Sequence, residues 1–421
     1  MRPLLSLFPL TQTEAAAKYK PGIRFLLIAM IAAAALTGYG RQKTETEVLQ
    51  DKPLAGFQND LLMTAFQTAS AIPVKPHIKD RSRAQYKVVS AALKLDQPQR
   101  ALDYSDKIKN WRRGLGYADW AFYCVQRGVT HEVPHYLDLA EQISTVADQD
   151  WRRDRIKVRI AQTRLLLGDS GQSEQLVADI DASESGKVER VESSLADEED
   201  FEPQMKAIDG LIASGNFDLI KNALFACTQL FDRFYDDADR RETVERKIKS
   251  SWQPLPYTIR IDLLAELAEI SLKHTDPTGA LELVHDAQVA MDKATWPAEY
   301  RIPLTARLAA LCFRAGDEET ARSRLAELPA QYDEEKNTII NIYRAETLTP
   351  VAEAFQTAGD TASALKIYKQ ALEAGVENPN SRPRAEDLSA ICLSMALNQV
   401  EPDEVLWARI REVQAALGDP W

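Results

Sequence analysis

Nowhere along the chain do apolar and polar residues alternate over a run rich in β-branched side chains, so strands are not expected. The apolar residues instead fall in helix-sized segments separated by short polar turns. Cys124, Cys227, Cys312 and Cys392 each sit inside such a segment, each in a different pair of helices. A short apolar helix is expected over Leu61 to Ile72, closed by Pro73 and Pro76. Ala, Leu, Glu, Gln and Arg are plentiful, and these cost least in a helix. Gly is scarce, 17 of 421 residues, about 4% against a usual level of about 7%. The fold class expected is all-α.

The turns show a repeat. Trp111-Arg112-Arg113 is echoed by Trp151-Arg152-Arg153, and Gly128 and Gly168 follow at the same distance. Further turns fall at Asp96-Gln97-Pro98, Gly215-Asn216, Thr275-Asp276-Pro277, Gly316-Asp317, Gly359-Asp360 and Val400-Glu401-Pro402. In the C-terminal half they recur roughly every 41 residues, a period that belongs to helical repeat arrays. A turn glycine can take the left-handed conformation that closes the first helix of a pair. Asp276, Asp317 and Asp360 can then cap the second helix by accepting from its free N–H groups. Pro98, Pro277 and Pro402 occupy the first-turn place where a missing N–H costs nothing. Three residues on comes Ala101, Ala280 or Val405, with Ala321 and Ala364 at the same place in the pairs without proline. Small residues there let the two helices approach closely.

This pattern resembles the tetratricopeptide (TPR) repeat. The best match is within 348–371, where Ala352 and Phe355 fill the small and aromatic positions of the first helix. Ala364, Tyr368 and Ala371 fill the small–aromatic–small series of the second. Ala309 with Ala321, and Ala268 with Ala280 and Ala287, are weaker copies. The period is longer than the family's, most aromatic positions hold Leu, Cys or Ser, and Pro350 should kink or start its helix. The resemblance implies an α-solenoid of tandem antiparallel helix hairpins, a TPR-like superhelix. It also implies a concave groove lined mainly by the first helices of the pairs.

Domain boundaries are expected as follows. Residues 1–40 read as a signal peptide or N-terminal membrane anchor, because 25–40 (FLLIAMIAAAALTGYG) carries no charge and is preceded by Lys18, Lys20 and Arg24. The run is short for a span but right for a signal-peptide core. Leu36-Thr37-Gly38-Tyr39 resembles a bacterial lipobox with Tyr39 where the lipidated cysteine belongs, and tyrosine cannot form that thioether. A buried Ala-rich helix is the alternative. The 24 residues ahead of the run are long for a leader and suggest a start codon after Met1. Residues 41–80 are expected to form a tether with one short helix. Arrays of hairpins should cover 81–181 and 203–421, joined by an acidic linker at 182–202 (ASESGKVERVESSLADEEDFE). An extra exposed helix over 187–196 is the other reading of that linker.

The net charge of −12 and the lack of any polybasic block argue against nucleic acid, which needs a cationic face. Four cysteines in an exported chain allow two disulfides, although each also suits a core position as a small hydrophobe. His131-Glu132-Val133-Pro134-His135 matches the H-E-x-x-H zinc-hydrolase motif. That chemistry needs both histidines on one helical face. Pro134 inside a helix would cost about 3 kcal/mol, and the turn register puts His131 and Glu132 in the loop before the helix starts. No metal site, cofactor or catalytic residue is therefore assigned. By register with the repeat, Glu269, Lys273, Arg314, Glu353 and Gln356 should face the groove. Lys273 and Arg314 would be placed to clamp a carboxylate or acidic peptide; an ordinary charged helix surface is the alternative. The function expected is a non-catalytic interaction scaffold, exported or tethered on the outer side of an inner membrane, holding an unidentified protein or peptide. A zinc-dependent hydrolase at His131, Glu132 and His135, or a structural spacer or oligomer component of an envelope assembly, are the rivals.

Overall fold

The computed structural model describes residues 49–421 apart from Asp179. The leader expected over 1–40, with its run at 25–40, and the first part of the expected tether lie outside the described residues. Among the described residues there are helices and no strands, and none of the helices is long and apolar enough to cross a membrane. The chain is an all-α solenoid of antiparallel helix pairs.

After α1 (Gly56–Ala71), pairs follow one another. The first helices of the pairs, called A helices here, are α2 (Val74–Lys94), α4 (Arg112–Val125), α6 (Asp150–Leu166), α9 (Glu189–Leu195), α11 (Phe217–Arg233), α13 (Tyr257–Lys273), α15 (Ala298–Arg314), α17 (Asn341–Thr357) and α19 (Ser381–Asn398). Their B partners are α3 (Pro98–Asp106), α5 (Val133–Thr145), α7 (Ser170–Val177), α12 (Ala238–Ser251), α14 (Pro277–Asp292), α16 (Glu318–Glu335), α18 (Thr361–Val376) and α20 (Glu404–Ala415), while α10 (Phe201–Ala213), which follows α9 in the B place, packs on α11. The one-turn α8 (Ala182–Ser185) precedes α9.

The turn chemistry works as the sequence implies. Gly128, Gly168, Gly316 and Gly359 all have positive φ. Asp276, Asp317 and Asp360 accept from Gly279, Thr320 and Ser363 N–H at 2.8, 3.2 and 3.0 Å. Ala101, Ala280, Ala321 and Ala364 are completely buried, as are Ala352, Tyr368 and Ala371. Three details differ. Gly215-Asn216 joins B helix α10 to A helix α11, and the A–B turn of that pair is at 234–237, where Asp237 accepts from Arg240 N–H at 3.1 Å. At the last pair Asp403, not Pro402, sets the start: it caps Leu406 N–H at 2.7 Å, so Leu406 is buried and Val405 is exposed. Pro350 neither starts nor breaks a helix, since α17 runs through it from Asn341 to Thr357. The same holds for Pro303 in α15 and Pro329 in α16.

Residues 182–202, expected as a solvated linker, fold instead. Val188 and Val191 are buried, and α9 packs against α11. The acidic side chains sit around a narrow apolar stripe that a count of charge hides. The described residues form one compact unit with no division at this point.

The two ends of the array meet. Helix α19 packs against both α1 and α2, so the expected tether residues from 56 on are part of the body. Leu61, Leu62, Ala65, Leu388, Ile391, Cys392 and Met395 share one core. Polar bonds fasten the seam. Gln58 donates to the Ala396 carbonyl at 2.8 Å, Ser389 Oγ to the Ala65 carbonyl at 3.1 Å, and Gln414 to Thr68 Oγ1 at 3.2 Å. Arg83 of α2 pairs with Glu386 of α19 at 2.7 Å. The solenoid is thus a closed ring, where an open superhelix would leave its first and last hairpins apart.

Candidate functional site on the inner wall

Which layer lies inside follows from packing. A helices pack on A helices of adjoining pairs: α4 on α2 and α6, α11 on α9 and α13, α15 on α13 and α17. B helices pack chiefly on A helices and scarcely on one another, α18 with α20 excepted. The crowded layer is the smaller circle. The A helices therefore form the inner wall.

Their apolar faces are spent on the B layer and on each other, so the inward positions are polar. The charged groups are cross-linked between successive A helices. Tyr86 of α2 donates to Asp119 of α4, which pairs with Arg159 of α6 at 2.7 Å. Thr228 of α11 donates to Glu266 of α13 at 2.5 Å, and Arg190 of α9 lies 3.7 Å from the same carboxylate. Asp262 of α13 pairs with Arg307 of α15 at 2.5 Å, and burial raises the pKa of that aspartate against the pull of its arginine. On this face of α13, Asp262, Glu266 and Glu269 recur at spacings of four and three, the period of one helical stripe.

The residues expected at the groove all lie on A helices, and each has a partner. Arg314 pairs with Glu269 across α13 and α15. Lys273 pairs with Asp232 of α11 at 2.6 Å, and His274 Nε2 shares that carboxylate at 2.8 Å while its ring stacks on Tyr235 at 4.2 Å. Glu353 of α17 accepts from Ser394 Oγ of α19 at 2.6 Å. Gln356 accepts from Thr361 Oγ1 at 2.9 Å, within its own hairpin. Lys273 and Arg314 therefore do not converge on one point: each is held by the helix before it. An incoming acidic group would have to exchange with Asp232 or Glu269.

The structure adds Asp119, Arg159, Asp262, Arg307 and Glu266, which reading the sequence missed. One signal was there. Asp262 and Arg307 are 45 residues apart, as are Glu269 and Arg314, while Lys273 and Asp232 are 41 apart. Opposite charges about one repeat apart mark neighbouring A helices.

The other candidates lie elsewhere. His131 and Glu132 stand in the turn before α5, whose first residues are Val133 and Pro134, and His135 is exposed with its ring edge-on to Tyr136. Among the described residues no three His, Cys, Asp or Glu side chains gather as metal ligands. Cys124, Cys227, Cys312 and Cys392 are buried, unpaired thiols. Burial pushes the pKa of Cys124, Cys227 and Cys392 up to about 12, which suits the role of small core residues.

No protein-family model and no curated protein sequence matches the chain. Among solved structures it is similar to a circular tandem repeat protein with novel repeat topology and enhanced subunit contact surfaces. The identity is 15%, over 85% of this chain and 94% of that one, with a TM-score of 0.23. A likeness of that size carries no argument, and the ring closure rests on the packing of α1 and α2 against α19.

Proposed function

We propose that the protein is a non-catalytic interaction scaffold that holds a protein or peptide on its charged inner wall. The observation that supports this is the polar stripe on the A helices, in which ion pairs and hydrogen bonds bridge neighbouring helices. Lys273 is the most exposed cation among these pairs, and a pair near the surface contributes little to stability, so a partner's carboxylate can take the place of Asp232 there at small net cost. The pattern of small residues between paired helices fits a divergent TPR-like array with a period near 41 residues in its C-terminal half. The uncharged run at 25–40 supports export or a membrane tether, with the ring on the outer side of the membrane.

The test is affinity capture with the full chain, comparing the native protein with Lys273→Ala/Arg314→Ala and with an outer-surface control, Arg246→Gln. The inner-wall variant should lose most of the captured partner and keep its helical content, while the control should retain it. Capture equal in all three would discard the inner wall as the binding face. A size measurement without lysate separates a recruiter from a self-assembling spacer. Stoichiometric zinc in the purified chain would reopen the hydrolase reading at His131, Glu132 and His135.

A further inference from the structure

The arginines of the inner wall follow one rule: Arg159, Arg190, Arg307 and Arg314 each face a carboxylate on a neighbouring A helix. Arg112, at the start of α4, breaks it. Its guanidinium is partly buried and lies over the Trp111 ring, 4.6 Å from the centroid. Its side chain donates to Ser82 Oγ at 3.3 Å and has no carboxylate partner among the described residues.

The surroundings make the exception costly. Trp111 meets Trp151 edge-on at 5.3 Å, and Arg152 and Arg155 each lie 5.1 Å from the Trp151 ring. Two tryptophans thus gather three guanidinium groups where α4 and α6 begin. Arg83 of α2, next in the chain to the Ser82 that Arg112 bonds, adds a fourth charge. Arg83, Arg152 and Arg155 have their own acids in Glu386, Asp148 and Glu184, which leaves Arg112 as the surplus cation. Burial, then the repulsion of Arg83, Arg155 and Arg152, lowers its pKa to about 10. A like-charge cluster that is partly desolvated is unfavourable unless an anion completes it. Planar guanidinium groups with fixed forks suit a tetrahedral oxyanion, which takes several N–H donors at once.

We propose that Arg112, with Arg155 and Arg83 beside it, forms a binding site for a doubly charged oxyanion, a phosphoryl or sulfate group, at the N-terminal ends of α4 and α6. The site reads charge and shape of one small group, so it stands whether or not the inner wall holds a protein partner. Trp111 lies against Arg112 and Trp151 against Arg155.

The experiment is calorimetric titration of the full chain with inorganic phosphate, then with sulfate and acetate, at constant ionic strength set by chloride. One saturable site per chain is expected for phosphate and sulfate. Arg112→Gln should weaken it at least tenfold, and Arg155→Gln likewise, while Arg246→Gln on the outer helix α12 leaves it unchanged. Melting curves identify a variant that fails to fold, and the other arginine variant then decides. Absence of saturable binding, native affinity in the folded arginine variants, or acetate binding as tightly as phosphate would each overturn the proposal.

Discussion

At the scale of single residues, the left-handed turn positions carry the clearest consequence. Glycine holds this place after α4, α6, α15 and α17, but Thr275 holds it after α13 with φ of 63°. Threonine is β-branched, and its Cβ crowds the carbonyl in that conformation by about 1–2 kcal/mol. Thr275 is exposed, so its side chain returns little packing. Thr275→Gly should therefore stabilise the chain by about 1 kcal/mol in denaturant titration, the lower end of that range because glycine loses more backbone freedom on folding. An unchanged midpoint would mean that the strain is relieved elsewhere in the turn. This scale was also the most legible in the sequence. Gly316, Gly359 and the capping aspartates Asp276, Asp317 and Asp360 announce themselves because one residue type meets one local need. Asp237 did not, because no glycine or proline flags its turn. The prolines flagged the turns at Asp96-Gln97-Pro98 and Val400-Glu401-Pro402, but not the left-handed conformation of Asp96 and Gln399, with φ of 57° and 56°.

At the scale of elements, close approach between paired helices decides what can be substituted. Gly116 of α4 lies against α3, where an added Cβ would overlap Ser105 Oγ and sit 3.1 Å from Ser105 Cβ. Gly116→Ala should destabilise by about 1–3 kcal/mol despite alanine's better helix propensity, since overpacking costs that much. Adding Ser105→Ala removes the nearer clash and should recover part of the loss, a coupling that a double-mutant cycle measures. The hairpin turn between α13 and α14 offers a second case. Asp276 accepts from Gly279 N–H and from Tyr235 OH, each at 2.8 Å. The backbone bond to Gly279 comes first among the influences that hold its pKa below the ordinary 3.8. A lowered folded value means that its stabilisation is complete above the unfolded pKa. It is lost as pH falls through the folded one. Asp276→Ala should cost about 1 kcal/mol at neutral pH, and less in acid, whereas Asp276→Asn keeps a cap that does not titrate. Equal losses for the alanine variant at pH 7 and pH 2.5 would show that the carboxylate's charge plays no part. Elements were legible where the local pattern was strong, and the segment 182–202 was not. Its stripe of Val188 and Val191 is too short to stand out among so many acids, and only α11 makes it a helix worth forming.

At the scale of the whole molecule, the sequence implied an array but not its closure. Ring formation depends on contacts such as Ser389 with Ala65, 324 positions apart, and no local pattern encodes the curvature that brings them together. Helix α19, which carries the seam on one face, is also where acid chemistry bears on the fold. Asp387 of α19 is partly buried beside Gly375 and accepts weakly from Asn378 at 3.4 Å. Burial first, then the neighbouring charges of Glu386 and Glu346, raises its pKa from 3.8 to about 8, with Lys87 of α2 pulling the other way. A carboxyl group whose folded pKa is raised stabilises the fold fully below its unfolded value, and that contribution fades as pH rises to the folded one. Between pH 4 and 8 the folded ring holds a proton that the unfolded chain releases, so this residue tilts stability downward with rising pH. Above pH 8 the ionised group stands among Glu386 and Glu346, next to the helix that joins the two ends. Asp387→Asn should flatten the decline in melting temperature across pH 4 to 8, with its largest gain over the native protein above pH 8. X-ray scattering at pH 9 should show the native ring expanding more than the variant, because α19 loosens first from α17 and α18, whose Glu346 and Gly375 face the ionised group. Parallel pH profiles for the two proteins would mean that Asp387 titrates alike in the folded ring and the unfolded chain.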